Sequence, residues 1–306
     1  PIFMFFMASS SLQATGDTIT PMFSMLVANI LNMILDPIMI FGLFGFSRLE
    51  AKGAALATII SQLVATGYIC WMLFFRKNAN YSIRWVHFKP TVQMMKNLIG
   101  IGLPSSGQLL TRSIMSLVLM RIVAGFGTAA VAAYGIGMRF HHTSLMPAFA
   151  LGGAAATMVG QNLGAGLKNR AVKAAWLASW ICVAIMASIA VLMIPFAAQI
   201  TSIFSNSEEV IGLGANYLKI VTPCYIFVAF SIVLGRAVNG AGDTLAPMIT
   251  TIIALWAFQV PLAAILPRYM AQPTNGVWWA MGAAVVVHGL LNTAWFMYGK
   301  WLDRKI

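Results

Sequence analysis

AAWLASWICVAIMASIAVLM, the stretch Ala174–Met193, runs through 20 residues without an Asp, Glu, Lys or Arg, and the charge-free run continues to Ser207. About 20 apolar residues in a helix cross the hydrocarbon layer of a bilayer, where backbone groups must satisfy one another because no water reaches them. This stretch therefore reads as a membrane-spanning helix. Gly53–Phe75, Phe140–Leu167, Thr244–Pro267 and Tyr269–Gly299 are equally free of charge. The whole chain follows the same rule: 60% of its residues are hydrophobic, only 8% are charged, and the mean hydropathy is +0.84. A soluble domain carries roughly 25% charged residues, so one soluble core could not hide this much apolar surface.

Gly, Pro and charged residues divide the chain into eight spans, at about 20–42, 53–75, 98–124, 128–158, 174–197, 210–236, 245–266 and 277–299, with residues 1–13 as the end of another. The expected class is all-α, a polytopic membrane helical bundle. Basic residues orient it, because cytoplasmic loops collect Lys and Arg. Arg76, Lys77, Arg84, Lys89 and Lys96 follow the second span, Lys168, Arg170 and Lys173 the fourth, and Lys300, Arg304 and Lys305 the last, against Arg48, Lys52 and Arg268 on the other side. Distributed in this way, the net charge of +12 reflects topology and excludes a nucleic-acid patch. The expected setting is the inner, cytoplasmic membrane, with lipids as partners and a monomeric chain.

Residues 76–97 form the one long polar connection, read as a cytoplasmic linker whose Trp85, His87 and Phe88 touch the interface. On either side lie related segments. Gly16, Asp17, Thr18, Pro21 and Met22 recur 226 residues later as Gly242, Asp243, Thr244, Pro247 and Met248, while Gly53 and Ala57 recur after 223 as Gly276 and Ala280. Repeats of this kind build many transporters. The expected organisation is the remainder of an N-terminal lobe at 1–75, the linker at 76–97 and a six-helix C-terminal lobe at 98–306. The offset implies about 130 residues ahead of the first lobe's remaining helices. In the repeated turns, Asp17 and Asp243 read as helix N-caps with Pro in the following turn.

Asp36 is the only acidic residue well inside an apolar span, where an ionised Asp costs roughly 2.5–3.5 kcal/mol to insert. Asn29, Asn32 and Asp36 share one helix face, and Pro37 deprives the Met33 carbonyl of its usual partner, which also marks the expected kink. Carboxylate, amides and a freed carbonyl suit a proton or a hard cation. The other reading is a carboxyl group that braces the bend. At the 226-residue offset the same positions hold Leu255, Phe258 and Leu262, so the turn repeats and the polar face does not.

Gly16-Asp-Thr, Asn32-Met-Ile-Leu-Asp36-Pro37, Gly53-Ala-Ala-Leu-Ala-Thr58 and Gly160-Gln-Asn-Leu-Gly-Ala-Gly166, in this order, resemble the multidrug and toxic-compound extrusion (MATE) antiporters along essentially the whole chain. That resemblance implies two six-helix bundles that export organic, often cationic, compounds in exchange for protons or sodium. Asn32 and Asp36 match its cation-site Asn and Asp on the fifth helix. Arg112 stands where some members carry a Glu, which makes the chain look more like the DinF-like branch. Arg112, Arg139 and Gln108 are candidate cavity-lining residues, and Arg121 is weighed with them. A lipid-linked oligosaccharide flippase is the alternative, favoured if Arg112, Arg121 and Arg139 share one space. No cofactor is expected beyond the coupling ion. Gly160–Gly166 lacks the Lys-Ser/Thr of a phosphate loop, and no enzyme motif is present.

Overall fold

The computed structural model describes residues 1–45, 47–75 and 91–304. Ten helices carry the fold: α1 (Ile2–Ala14), α2 (Ile19–Phe41), α3 (Ala51–Phe75), α4 (Val92–Ala124), α5 (Thr128–Gly164), α6 (Lys168–Met193), the short α7 (Ala197–Ser202), α8 (Glu208–Gly240), α9 (Leu245–Tyr269) and α10 (Pro273–Tyr298). Eight of these described helices are long and apolar enough to cross a membrane, at the positions the charge-free runs indicate. The chain is an all-α, multi-pass membrane protein. α4 begins at Val92, so helix extends into the stretch that composition assigns to the linker. Arg76, Lys77, Arg84, Trp85, His87, Phe88, Lys89 and Lys305 lie outside the described residues.

The chain divides into two compact units, Pro1–Thr91 and Val92–Ile306. In the first, α2 lies along α3 and α1 packs on the same helix. Phe5, Leu12, Ile69 and Leu73 form its small core. The Ser24 hydroxyl of α2 donates to the Ala65 carbonyl of α3 at 2.8 Å. Gly53 sits directly against the Met39 carbonyl, where a Cβ would overlap backbone.

In the second unit α5, α6, α8 and α10 surround the core. Trp278 is its centre, stacked on Tyr134 with ring centroids 6.0 Å apart and edge-on to Tyr217 at 5.0 Å. The Tyr217 ring fills the space that the missing side chain of Gly137 leaves. Outward on α6, Leu177, Trp180, Val191 and Leu192 stand exposed, the apolar surface that lipid covers.

The repeat is real at the level of backbone. Gly16 and Gly242 both take positive φ, +94° and +78°. The next amide turns back in each copy, Asp17 N–H to Leu12 O and Asp243 N–H to Val238 O. Gly276 meets the backbone of Leu266 and Pro267 much as Gly53 meets Met39 and Ile40. The side chains diverge. Asp17 caps α2, its Oδ1 accepting from the Thr20 N–H at 3.0 Å and its Oδ2 from the Thr20 hydroxyl at 2.7 Å. Asp243 is not a cap: Ala246 replaces Thr20, and the carboxylate accepts instead from Trp295 Nε1 and Arg304 Nη2, both at 3.1 Å.

α2 is α-helical throughout and runs through Pro37 unbroken. Its counterpart α9 opens into a π-helical stretch over Ile253–Gln259. A π turn inserts one residue relative to α-helical register. Beyond it the counterpart of Asn32 is therefore Gln259, not Phe258. Gln259 is buried while Phe258 is exposed. Part of the polar face thus does repeat, and the position matching Asp36 becomes Ala263, which is buried and carries no charge.

Candidate functional site

Two polar constellations stand inside the spans, one in each unit. On α2 the Asn32 amide donates to Asp36 Oδ1 at 3.3 Å and reaches Thr58 Oγ1 on α3 at 3.4 Å. The Thr58 hydroxyl in turn donates to Ala54 O at 2.9 Å, a helix-internal bond that aims its oxygen at Asn32. With both contacts made by the Asn32 nitrogen, its amide oxygen and the second carboxylate oxygen of Asp36 remain as acceptors. Asp36 and Asn32 are half-buried; Asn29, one turn earlier, is exposed and its side chain makes no hydrogen bond among the described residues.

Thr58 was not singled out in the sequence as a site residue, although it ends one of the motifs quoted above. The signal that could have found it is the repeat itself. Its counterpart at the 223-residue offset is Met281, which lines a cavity with Gln259 in the second unit.

That cavity has a volume of about 220 Å³ and lies among α4, α5, α8, α9 and α10. Arg112, Tyr134, His141, His142, Gln259 and His288 supply its larger polar groups, and Met, Leu, Val and Phe side chains complete the wall. His141 Nδ1 lies 3.1 Å from the Tyr225 hydroxyl. His288 is held by a buried network. The Asn292 amide donates to Ser231 O and to His288 Nε2, both at 3.0 Å, while its oxygen accepts from Thr250 at 2.9 Å. A flipped amide would set oxygen against the Ser231 carbonyl, so this assignment stands; His288 Nε2 also lies 3.2 Å from Thr251 Oγ1, which joins the ring to the Thr251–Pro247 contact.

Gln108 belongs to the same network and does not line the cavity. It donates to Pro247 O at 3.2 Å and to Thr251 Oγ1 at 3.0 Å. Arg139 is exposed and lies over the Phe204 ring at 5.8 Å, and Arg121 is exposed as well. Neither lines the cavity that holds Arg112, so the three arginines do not converge there as a flippase would require. Among the described residues, no group of three His, Cys, Asp or Glu side chains could hold a metal ion.

The MatE family model matches residues 104–265, which is more than half of the chain. The chain belongs to the MatE family. It is 30% identical over 301 residues to the probable multidrug resistance protein NorM of Thermotoga maritima, covering 97% of this chain and 64% of that protein. The FAD transporter of Shewanella oneidensis is 29% identical over 257 residues, covering 84% of this chain and 57% of that one. A crystal structure of MATE in complex with MaL6 superposes with a TM-score of 0.88 at 25% identity, over 99% of this chain and 67% of the other. The chain thus spans about two thirds of the length of the MatE proteins it matches.

Proposed function

We propose that this MatE chain works in the inner membrane as the ion-coupled part of an exporter of small organic compounds, with Asp36 as the group that takes up the coupling ion. The observation that carries this reading is the Asp36–Asn32–Thr58 constellation, a carboxylate inside a membrane span tied to the neighbouring helix. An intramembrane carboxylate is expensive, and transporters keep such groups for ion pathways. The patch offers one carboxylate oxygen, one amide oxygen and the Met33 carbonyl that Pro37 leaves free, acceptors that suit a proton or a hard cation such as sodium. The names of relatives support organic cargo, since two of them are a multidrug resistance protein and an FAD transporter. A cationic cargo is the form that a carboxylate-bearing face suits, because proton and cargo would then compete for one charge.

One charge moving down about 100 mV releases about 2.3 kcal/mol, enough for a roughly 50-fold cargo gradient. The test is efflux from proteoliposomes under an imposed proton gradient, wild type against Asp36→Asn. Coupled efflux at the wild-type rate in that variant would rule the mechanism out.

A further inference from the structure

The cavity of the second unit has a charge problem that the coupling reading does not address. Arg112 lines it, and among the described residues Arg112 makes no hydrogen bond and no ion pair. The charged group within its electrostatic reach is Arg236, of the same sign, and the titratable side chains that share the cavity wall with it are Tyr134, His141, His142 and His288. Every acidic residue of this unit is placed elsewhere. Glu208 and Glu209 open α8, Asp243 holds Trp295 and Arg304, and Asp303 accepts from Lys168 at 2.6 Å.

Depth makes the isolation severe. At a rise of 1.5 Å per residue, Arg112 lies about 18 Å from the end of α4, His141 about 20 Å from the start of α5 and His288 about 22 Å from the start of α10. Those helix ends share one side of the membrane, so the three groups meet at one level, deep in the span. A half-buried guanidinium at that level has five donors and no protein acceptor among the described residues. Two further polar groups line the same space, the His288 ring and the Tyr134 hydroxyl, which is buried beside Ser116.

We propose that this cavity is a binding site for a small organic oxyanion, a carboxylate or phosphate on a body of about one ring, with Arg112 as its charge partner and the Tyr134 hydroxyl and the His288 ring as neutral polar partners. Size sets the body, since an apolar cavity of about 150 Å³ accepts benzene and this one has about 220 Å³. The methionines and Phe149 in the wall suit an apolar ring. Register adds to the argument: Gln259 and Met281 here are the counterparts of Asn32 and Thr58, so the two halves build matching sites of opposite charge. The inference does not rest on Asp36 and stands or falls separately from it.

The test uses the full chain in nanodiscs of phosphatidylcholine alone, with equilibrium binding of salicylate and of salicylamide, its neutral counterpart. Wild type binds salicylate at least tenfold more tightly, Arg112→Met abolishes that preference, and Arg112→Lys keeps part of it. Because Arg112 has no partner to lose, Arg112→Met does not lower the melting temperature. Asp36→Asn keeps the salicylate preference. Adding phosphatidylglycerol identifies the source: displacement of bound salicylate marks a lipid headgroup, and no displacement marks a free solute. Equal binding of the two probes by wild type, an unchanged preference in Arg112→Met, or a lowered melting temperature with loss of both probes in that variant would overturn the proposal.

Discussion

The amide nitrogen of Asn32 lies 3.3 Å from Asp36 Oδ1, and the same nitrogen reaches Thr58 Oγ1 at 3.4 Å, so one side chain ties the carboxylate of α2 to α3. Protonating Asp36 weakens it as an acceptor and loosens that tie, which gives a proton a mechanical consequence. Asn32→Ala removes both contacts and is expected to slow proton-driven efflux about tenfold. Thr58→Val removes only the outer contact and costs about threefold. Efflux rates in proteoliposomes check both. A purely bracing role would instead lower the melting temperature and leave the rate per folded molecule unchanged.

The repeated aspartates should respond differently to the same change. Asp17→Ala removes a helix cap and is expected to cost roughly 0.5–2 kcal/mol. Asp243 is 3% exposed in its side chain and satisfies two donors, one charged. Asp243→Ala therefore costs more, about 2–4 kcal/mol. Arg304→Ala strands the buried carboxylate and is also destabilising, although Arg304 itself is half-exposed. Thermal unfolding of the purified variants in detergent orders them, with Asp17→Ala the mildest.

Why the sequence revealed some of this and not the rest follows from the physics of each feature. Hydrocarbon enforces long charge-free helices, so all eight spans and the intramembrane Asp36 could be read directly. The Gly-Asp-Thr turns could be read as a repeat because positive φ demands glycine. Their aspartates could not be told apart, since the partners of Asp243 stand 52 and 61 residues away. The π stretch in α9 was hidden too, because one inserted residue leaves no mark in composition, and it moved the polar face from Phe258 to Gln259. His288 is legible in the sequence, as the lone titratable side chain other than tyrosine within the charge-free run Tyr269–Gly299.

Close helix contacts make a second contrast between like-named residues. Alanine at Gly53 or Gly276 would drive a Cβ into the backbone of the facing segment, which cannot yield as a side chain could. Each substitution is expected to destabilise by about 1–3 kcal/mol. Gly67 in α3 and Gly135 in α5 have open space at the same atom. Alanine at either should stabilise by roughly 0.5–1 kcal/mol, the usual gain of a helical Gly→Ala change. Melting temperatures of the four variants separate the pairs by sign.

Asn292 links α10 to α8 and α9 at once, and it is 3% exposed, so its loss reaches further than one hydrogen bond. Asn292→Leu leaves the Ser231 carbonyl without its donor, inside a π-helical stretch, and leaves the Thr250 hydroxyl facing a methyl group. The expected cost is about 2–4 kcal/mol. Thr250→Val alone should cost about 1 kcal/mol, and the pair should fall short of the sum by roughly 0.5–1 kcal/mol because the two share a bond. Asn292→Leu also removes one of the two contacts that hold His288 Nε2, leaving only Thr251 Oγ1 at 3.2 Å to orient the ring. Salicylate binding should therefore weaken in Asn292→Leu although Asn292 does not line the cavity, while Gln108→Leu, which leaves the Asn292–His288 contact intact, should retain it.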